Sequence, residues 1–175
     1  MSDKKVNLTI DGTNITVNEG STILEAARSA GIDIPTLCYL KKINEIGACR
    51  MCLVEVEGAR SYLAACVQPA TDGMVVHTNT KALLDTKKTV LELILSAHEK
   101  KCLTCSRNKN CELQDLAKKF GIEDIPFESN DVPKETLDTS SDCIVRNTAK
   151  CILCKKCVNI CKNVQGVCAI STVNR

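Results

Sequence analysis

The sequence predicts an α+β protein in which a small sheet domain is followed by helical, cysteine-rich segments. Residues 6–17 alternate apolar and polar side chains on either side of Gly12, which is the pattern of a β-hairpin. From Thr80 to His98 the apolar residues recur at helical spacing. All but two of the thirteen cysteines fall into three groups along the chain. These three observations fix the predicted order of the domains.

The first domain is predicted to contain two strands, a helix and further strands. Thr22 is placed to begin the helix and Gly31 to end it in the left-handed conformation. The side chains expected to face inward are those of Ile23, Leu24, Ala27 and Ala30. The later strands are expected at Leu53–Val56, Tyr62–Ala65 and Met74–His77. This order describes a β-grasp sheet, as in small plant-type ferredoxins.

Composition and charge narrow the functional class. The 23 basic and 21 acidic residues are intermixed and leave a net charge of +2, whereas a nucleic-acid footprint would be clustered and strongly basic. No segment approaches the roughly 18 apolar residues that a membrane helix needs. The N-terminal residues do not form a signal peptide. We therefore expect a cytoplasmic protein that uses neither nucleic acid nor a membrane as a partner.

The cysteine spacing favours metal ligands over disulfides. The cysteine count is odd, and the third group consists of steps too short for a disulfide framework. Bound clusters would also contribute folding free energy to small modules in which only 2% of residues are aromatic. The three groups are Cys38, Cys49, Cys52 and Cys66; His98, Cys102, Cys105 and Cys111; and Cys151, Cys154, Cys157 and Cys161.

The first group predicts a [2Fe–2S] cluster. Cys38, Cys49 and Cys52 lie on one loop, where backbone N–H groups can point at the sulfurs. Gly47 allows that backbone to approach closely, and Cys66 returns from the end of a strand. Plant-type ferredoxins have four residues between the first two cysteines, whereas this chain has ten.

The second group predicts a [4Fe–4S] cluster held by His98, Cys102, Cys105 and Cys111. The cysteines supply only three thiolates, so a neutral imidazole would complete the set of four ligands. An imidazole in place of a thiolate removes one negative charge, which should raise the reduction potential. The other histidine, His77, has no cysteine within ten residues and is predicted to be a surface strand residue.

The third group has the C-x2-C-x2-C-x3-C spacing of bacterial two-cluster ferredoxins, with Lys162 after the fourth cysteine instead of the usual proline. In those proteins three cysteines bind one [4Fe–4S] cluster and the fourth binds another. This chain has one copy of the motif. Either Cys161, Cys143 or Cys168 completes a single site, or Cys161 belongs to a further [4Fe–4S] cluster with ligands missing here. Otherwise, Cys143 and Cys168 are expected to be free, buried thiols.

A structural zinc-binding interaction protein is the distant alternative. Zinc would use two CxxC pairs, Cys49/Cys52 and Cys102/Cys105, in tetrahedral sites. This interpretation leaves Cys38, Cys66 and His98 without a role.

The sites and the periodicity predict four segments. Residues 1–79 form the [2Fe–2S] ferredoxin domain, and residues 80–121 form the helical His/Cys3 [4Fe–4S] module, with a second helix at 111–120. Residues 122–149, which lack a clear period, form a linker. Residues 150–175 begin a truncated [4Fe–4S] module like a bacterial ferredoxin.

The three motifs, in this order, resemble the N-terminal region of [FeFe] hydrogenase catalytic subunits, in particular the NAD-linked, electron-bifurcating ones. The iron–sulfur subunit of respiratory complex I and the N-terminus of NAD-dependent formate dehydrogenase alpha subunits are similar too. The resemblance covers essentially the whole chain. The segments that carry it are 46–52, 98–105 and 150–166.

The resemblance implies an electron-transfer arm that relays single electrons between a flavin/NADH subunit and a hydrogen-activating centre. The implied partners are a flavin- and NADH-binding iron–sulfur subunit, a small thioredoxin-like [2Fe–2S] subunit and ferredoxin. The diiron catalytic cluster is expected only outside this segment, so no catalytic residue is expected within it. The alternative is the same arm in a formate dehydrogenase or a complex-I-like enzyme. At Cys168 the resemblance leads us to expect a glycine.

Overall fold

The computed structural model describes residues 4–129 and 137–172, and it has the predicted α+β fold. The chain forms two compact units. One consists of the residues up to Lys87 together with those from Lys155 onward, and the other is Lys88–Cys154. Parts of the predicted linker and of the predicted last module, at 130–136 and 173–175, lie outside the described residues.

The first unit contains a five-stranded mixed sheet. Its strands are β1 (Lys5–Ile10), β2 (Thr13–Asn18), β3 (Leu53–Val56), β4 (Leu63–Ala64) and β5 (Met74–His77). They lie in the order β2-β1-β5-β3-β4, with β1 and β5 parallel and the other neighbours antiparallel. Between β1 and β2, Asp11 and Gly12 both have positive φ angles, 46° and 81°, as a two-residue hairpin turn of type I′ requires.

The core of this unit lies between the sheet and α1 (Ile23–Ser29). Val6, Leu8 and Ile10 are buried because alternate residues of β1 point to the same face. Ile23 and Leu24 are fully buried. The compact core follows directly from the alternation and the helical spacing in the sequence.

Helix α1 begins with a capping box. The Thr22 hydroxyl accepts a hydrogen bond from the Glu25 N–H at 3.2 Å, and the Glu25 carboxylate accepts one from the Thr22 N–H at 3.1 Å. The prediction that Ala30 faces inward is wrong. The helix ends at Ser29, and Ala30 is its exposed C-cap, where the chain turns through Gly31 at a φ of 74°.

The long helix α2 (Lys81–Ser96) is shorter than the predicted span by one residue at its start and two at its end. Leu83 and Leu91 are buried as the apolar spacing predicts, whereas Leu84 is exposed. Among the helices of the described residues, none combines the length and the apolar character that a bilayer crossing requires.

The second unit contains α3 (Glu112–Lys119), preceded by a single 3-10 turn at Cys102–Thr104. It also contains a short antiparallel pair, β6 (Leu137–Asp138) and β7 (Arg146–Asn147), which the sequence did not predict. These strands are too short to produce an alternating sequence pattern. An ion pair between Asp138 and Arg146, at 3.2 Å, connects the two strands. The remaining helix, α4 (Lys156–Asn163), belongs to the first unit.

We predict that Thr22→Ala lowers the free energy of unfolding by about 1 kcal/mol, because it removes the side-chain cap of α1. Urea unfolding followed by circular dichroism measures this change. Thr71→Ala, at an exposed loop threonine, is the control and should change the free energy little. Equal losses in the two variants would contradict the role of the capping box.

Candidate metal centres

The structure brings the four cysteines of the first group together next to β3 and β4. Cys52 directly precedes β3, and Cys66 follows β4 by two residues. Cys38, Cys52 and Cys66 are buried, and Cys49 is half-buried. The sulfurs interact in two pairs, Cys38 with Cys49 and Cys52 with Cys66. Four thiols gathered on one loop and one strand end match the predicted set.

In each sulfur pair, the hydrogen bond between the thiols lowers the pKa of one sulfur and raises the pKa of the other. The hydrogen bond from the Cys38 thiol lowers the pKa of Cys49 to about 5 and raises the pKa of Cys38. In the same way, the hydrogen bond from Cys66 lowers the pKa of Cys52 to about 7 and raises the pKa of Cys66. The thiolate is the form that binds metal, so these pairs suit iron ligation.

Backbone N–H groups point at the sulfurs of the first site. The Leu37 N–H donates to Cys49 Sγ at 3.4 Å, and the Cys49 N–H donates to Cys38 Sγ at 3.5 Å. The loop reaches this geometry through two left-handed residues, Gly47 at a φ of 61° and Arg50 at 57°. An added Cβ at Gly47 would lie 3.5 Å from the Val67 methyl groups. This lining of N–H donors around buried sulfur fits a [2Fe–2S] cluster.

Helix α1 and β3 fix the position of Cys66. The Leu24 N–H donates to the Ala65 carbonyl and the Ala65 N–H donates to the Cys52 carbonyl, both at 3.0 Å. The Ile23 N–H donates to the Gln68 carbonyl at 3.0 Å. The start of α1 therefore holds the segment that carries Cys66 against the segment that carries Cys52.

The second group surrounds a cavity of about 100 Å³ within the second unit. Its lining includes all four predicted ligands, His98, Cys102, Cys105 and Cys111. The Arg107 N–H donates to Cys105 Sγ at 3.4 Å. Cys111 is the N-cap residue of α3, so its sulfur lies at the start of that helix. A cavity lined by three thiols and one imidazole fits the proposed [4Fe–4S] cluster.

The His98 ring, which belongs to a residue lining this cavity, has a polar atom that the described residues leave without a hydrogen bond. Its Nδ1 is buried, and among the described residues no group forms a hydrogen bond with it. A buried polar atom without a partner is costly, which a metal bond at that nitrogen would relieve. Burial also lowers the pKa of His98, which favours the neutral imidazole that can act as a ligand. The Glu99 N–H, which donates to the Ala149 carbonyl at 2.9 Å, fixes the backbone beside it.

The third group is divided between the two units, with Cys151 and Cys154 in one and Cys157 and Cys161 in the other. Within the second unit, the Leu153 N–H donates to Cys151 Sγ at 3.4 Å. Within the first unit, the Ala169 N–H donates to Cys161 Sγ at 3.2 Å. Both halves of the motif therefore show the N–H to sulfur contact that is also found at the first two groups.

Two expectations about the remaining cysteines need correction. Cys143 and Cys168 are exposed, not buried as predicted. Cys143 lies in a bend of the second unit whose residues are themselves exposed. Cys168 has a φ of 55°, a left-handed conformation that favours glycine and so explains why a glycine is expected there.

The other histidine lies on β5, where its Nε2 is 3.1 Å from the Glu57 carboxylate. Its partly exposed ring confirms that His77 is a surface strand residue. Within the described residues, no three His, Cys, Asp or Glu side chains are arranged to hold a single metal ion. A cluster distributes its ligands over several irons, so its sulfurs need not converge on one point.

No sequence motif indicates Leu37 or Arg107 as part of a site. Both contribute through the backbone N–H, which every residue except proline carries, so their side chains give no signal. Only the position of the residue relative to a ligand could have indicated them: Leu37 directly precedes Cys38, and Arg107 follows Cys105 by two residues.

The fold and these sites define an iron–sulfur protein. Residues 3–81 match the 2Fe-2S iron-sulfur cluster binding domain, and residues 87–126 match the NADH-ubiquinone oxidoreductase-G iron-sulfur binding region. The chain belongs to the family of iron–sulfur subunits shared by NAD(P)-linked hydrogenases and NADH-quinone oxidoreductases. The α+β fold, the predicted cluster types and the resemblance to these enzymes are thereby confirmed.

Three relatives show the extent of the similarity. The NADP-reducing hydrogenase subunit HndD of Solidesulfovibrio fructosivorans is 46% identical over 175 residues, covering 97% of this chain and 30% of the relative. An NADH-quinone oxidoreductase subunit of Rhizobium meliloti (strain 1021) is 39% identical, covering 97% of this chain and 20% of the relative. A crystal structure of an NAD+-reducing [NiFe]-hydrogenase in the H2-reduced state matches with a TM-score of 0.89 and 31% identity, covering 97% of this chain and 71% of that one.

This chain therefore corresponds to the iron–sulfur part of larger oxidoreductase subunits, and it spans less than a third of the length of the two curated relatives. The assignment of individual ligands to each cluster stays a prediction, which the geometry above supports.

We predict that Gly47→Ala weakens the first cluster selectively. The left-handed φ costs a non-glycine residue about 1–2 kcal/mol, and at this position the strain falls on the loop that carries the ligands. The measurement is the loss of [2Fe–2S] absorbance and iron during mild heating. Gly58→Ala is the matched control, because Gly58 has a φ of 80° and open space around it, away from the sulfurs. Equal cluster loss in both variants would contradict the prediction.

We predict that His98→Cys retains a cluster at the second site but lowers its reduction potential, because a thiolate adds a negative charge. His98→Ala should lose or disorder that cluster. Redox titration followed by EPR measures both effects, and His77→Ala should leave the potential unchanged. An unaltered potential in His98→Cys would rule out ligation by His98.

Proposed function

We propose that this chain is the electron-transfer arm of a multisubunit NAD(P)-linked, electron-bifurcating [FeFe] hydrogenase. It would relay single electrons between a flavin/NADH subunit and the hydrogen-activating centre. Two observations carry the proposal: His98 and three thiols line one cavity, and the buried His98 Nδ1 has no hydrogen-bond partner among the described residues. The 46% identity to an NADP-reducing hydrogenase subunit supports the hydrogenase assignment.

The proposed ligands are those that the sequence predicts. The first cluster would use Cys38, Cys49, Cys52 and Cys66, and the second would use His98, Cys102, Cys105 and Cys111. The third would use Cys151, Cys154 and Cys157, with Cys161 at this cluster or at a further one. We also propose the division into segments 1–79, 80–121, 122–149 and 150–175.

When bound, each cluster would supply reversible one-electron chemistry. The residues of the chain hold the cluster, exclude water and set its charge. At the first site, burial of Cys38, Cys52 and Cys66 keeps water from the sulfurs, and the Leu37 N–H partly neutralises the charge on Cys49. At the second site, the neutral imidazole of His98 would leave one negative charge fewer than four thiolates.

The proposed partners are a flavin- and NADH-binding iron–sulfur subunit and a small thioredoxin-like [2Fe–2S] subunit, with ferredoxin as a further electron carrier. This part of the proposal is supported by the names of the relatives, which describe them as subunits. A cytoplasmic location is proposed because none of the thirteen cysteines is in a disulfide, and cysteines stay reduced in a reducing compartment.

The second candidate is the same arm in a complex-I-like NADH-quinone oxidoreductase. The 39% identity to an NADH-quinone oxidoreductase subunit and the match of residues 87–126 to the NADH-ubiquinone oxidoreductase-G region favour it. Reduction of the clusters in the native complex separates the two candidates. If the complex is a hydrogenase, hydrogen reduces the clusters. Reduction by NADH but not by hydrogen favours the complex-I-like enzyme.

We predict about ten iron atoms and matching acid-labile sulfide in the anaerobically purified chain, as one [2Fe–2S] and two [4Fe–4S] clusters require. EPR of the reduced protein should show both cluster types. About six iron atoms would mean that the third site needs ligands from outside these residues. Bound zinc without an EPR signal would overturn the electron-transfer proposal.

A further inference from the structure

A buried asparagine lies on the loop that follows the first ligand of the first site. The side chain of Asn44 is fully buried, and its Nδ2 donates to the carbonyl oxygen of Cys38 at 2.6 Å. The backbone of the same residue closes a small loop with Leu40, through hydrogen bonds of 2.7 Å and 3.1 Å. Asn44 therefore holds the backbone of a proposed cluster ligand.

The other end of the Asn44 amide contacts helix α4. The Asn159 Nδ2 donates a hydrogen bond to Asn44 Oδ1, and this contact joins residues 115 positions apart. A second contact lies nearby, where Asn163 Nδ2 donates to the Ile43 carbonyl at 3.3 Å. Helix α4 carries Cys157 and Cys161 of the third group and lies in the same compact unit as the loop.

We propose that Asn44 and Asn159 are positioning residues that lock helix α4 onto the Cys38 loop. The two amides form a continuous chain of hydrogen bonds from the Cys38 carbonyl to the helix that bears Cys157 and Cys161. The lock would set the position of Cys157 and Cys161 relative to the first cluster within this unit. This inference rests on the ligand sets under the proposed function and goes beyond them, because neither asparagine is a ligand.

The chemistry of the asparagine side chain suits this role. One amide supplies a donor for the Cys38 carbonyl and an acceptor for Asn159, so Asn44 uses both ends at once. An aspartate at either position could accept but could not donate. A buried donor or acceptor that loses its partner also costs more than an exposed one, so the bridge favours a single docked position of α4.

The test uses the full, cluster-loaded chain under anaerobic conditions, with Asn159→Asp and Asn159→Ala. Because Asn159 is only half-buried, both variants should fold and retain wild-type iron. We expect amide hydrogen exchange in residues 38–45 and 156–163 to become about tenfold faster, as the loss of one part-buried hydrogen bond implies. We also expect the EPR spectrum to show a weaker magnetic interaction between the reduced [2Fe–2S] and [4Fe–4S] clusters.

Asn163→Ala is the matched control, because it removes an amide contact from the same helix to the same loop, but at an exposed position. The amide hydrogen exchange and the EPR spectrum of this variant should stay close to those of the wild type. Wild-type exchange and wild-type magnetic interaction in both Asn159 variants, with normal iron, would overturn the lock and leave the proposed function standing. Equal effects in the Asn163 variant would overturn it too. Bound zinc and no EPR signal in the wild-type chain would overturn the proposed function, and this inference with it.

Discussion

The structure around the first site depends on the burial of ionisable sulfur. A thiolate in an apolar interior is unstable unless hydrogen-bond donors or a metal compensate its charge. Here the donors are backbone N–H groups, and the loop must curl around the sulfurs to present them. That curvature needs the left-handed backbone of Gly47 and Arg50. The conformation of the loop therefore follows from the need to place hydrogen-bond donors around the charge on the buried sulfurs.

The sheet and α1 meet the second requirement, which is to keep this loop rigid. Apart from Tyr39, their core is made of small and aliphatic side chains, and the first residues of α1 donate hydrogen bonds to the segment around Cys66. Leu24 serves both purposes, since its side chain is fully buried and its N–H fixes Ala65. At the second site, Leu113 and Leu116 are the buried residues of α3, the helix that Cys111 caps. The residues that pack the core are therefore close in sequence to the residues that place the ligands.

The features that sequence analysis predicted are those with a local pattern. The hairpin at Gly12, the helical periods and the ligand spacing each occupy a short stretch, so composition and spacing indicate them directly. The exposure of Ala30 was not predicted because the helical period continues through it, although the helix ends one residue earlier. The β6–β7 pair is too short to show alternation. The contact between Asn44 and Asn159 joins distant residues of an ordinary type, which no local pattern can reveal.

The first two sites differ in the charge that the protein gives them. Under the proposed ligand sets, the first site has four thiolates, whereas the second has three and a neutral imidazole. Burial lowers the pKa of His98, so the ring carries no compensating positive charge of its own at neutral pH. The second site therefore differs from an all-cysteine [4Fe–4S] site by one negative charge, and this raises its potential. Under these ligand sets, a single histidine two residues after α2 would raise the reduction potential of the second cluster and so favour its reduced state, whatever the direction of electron flow.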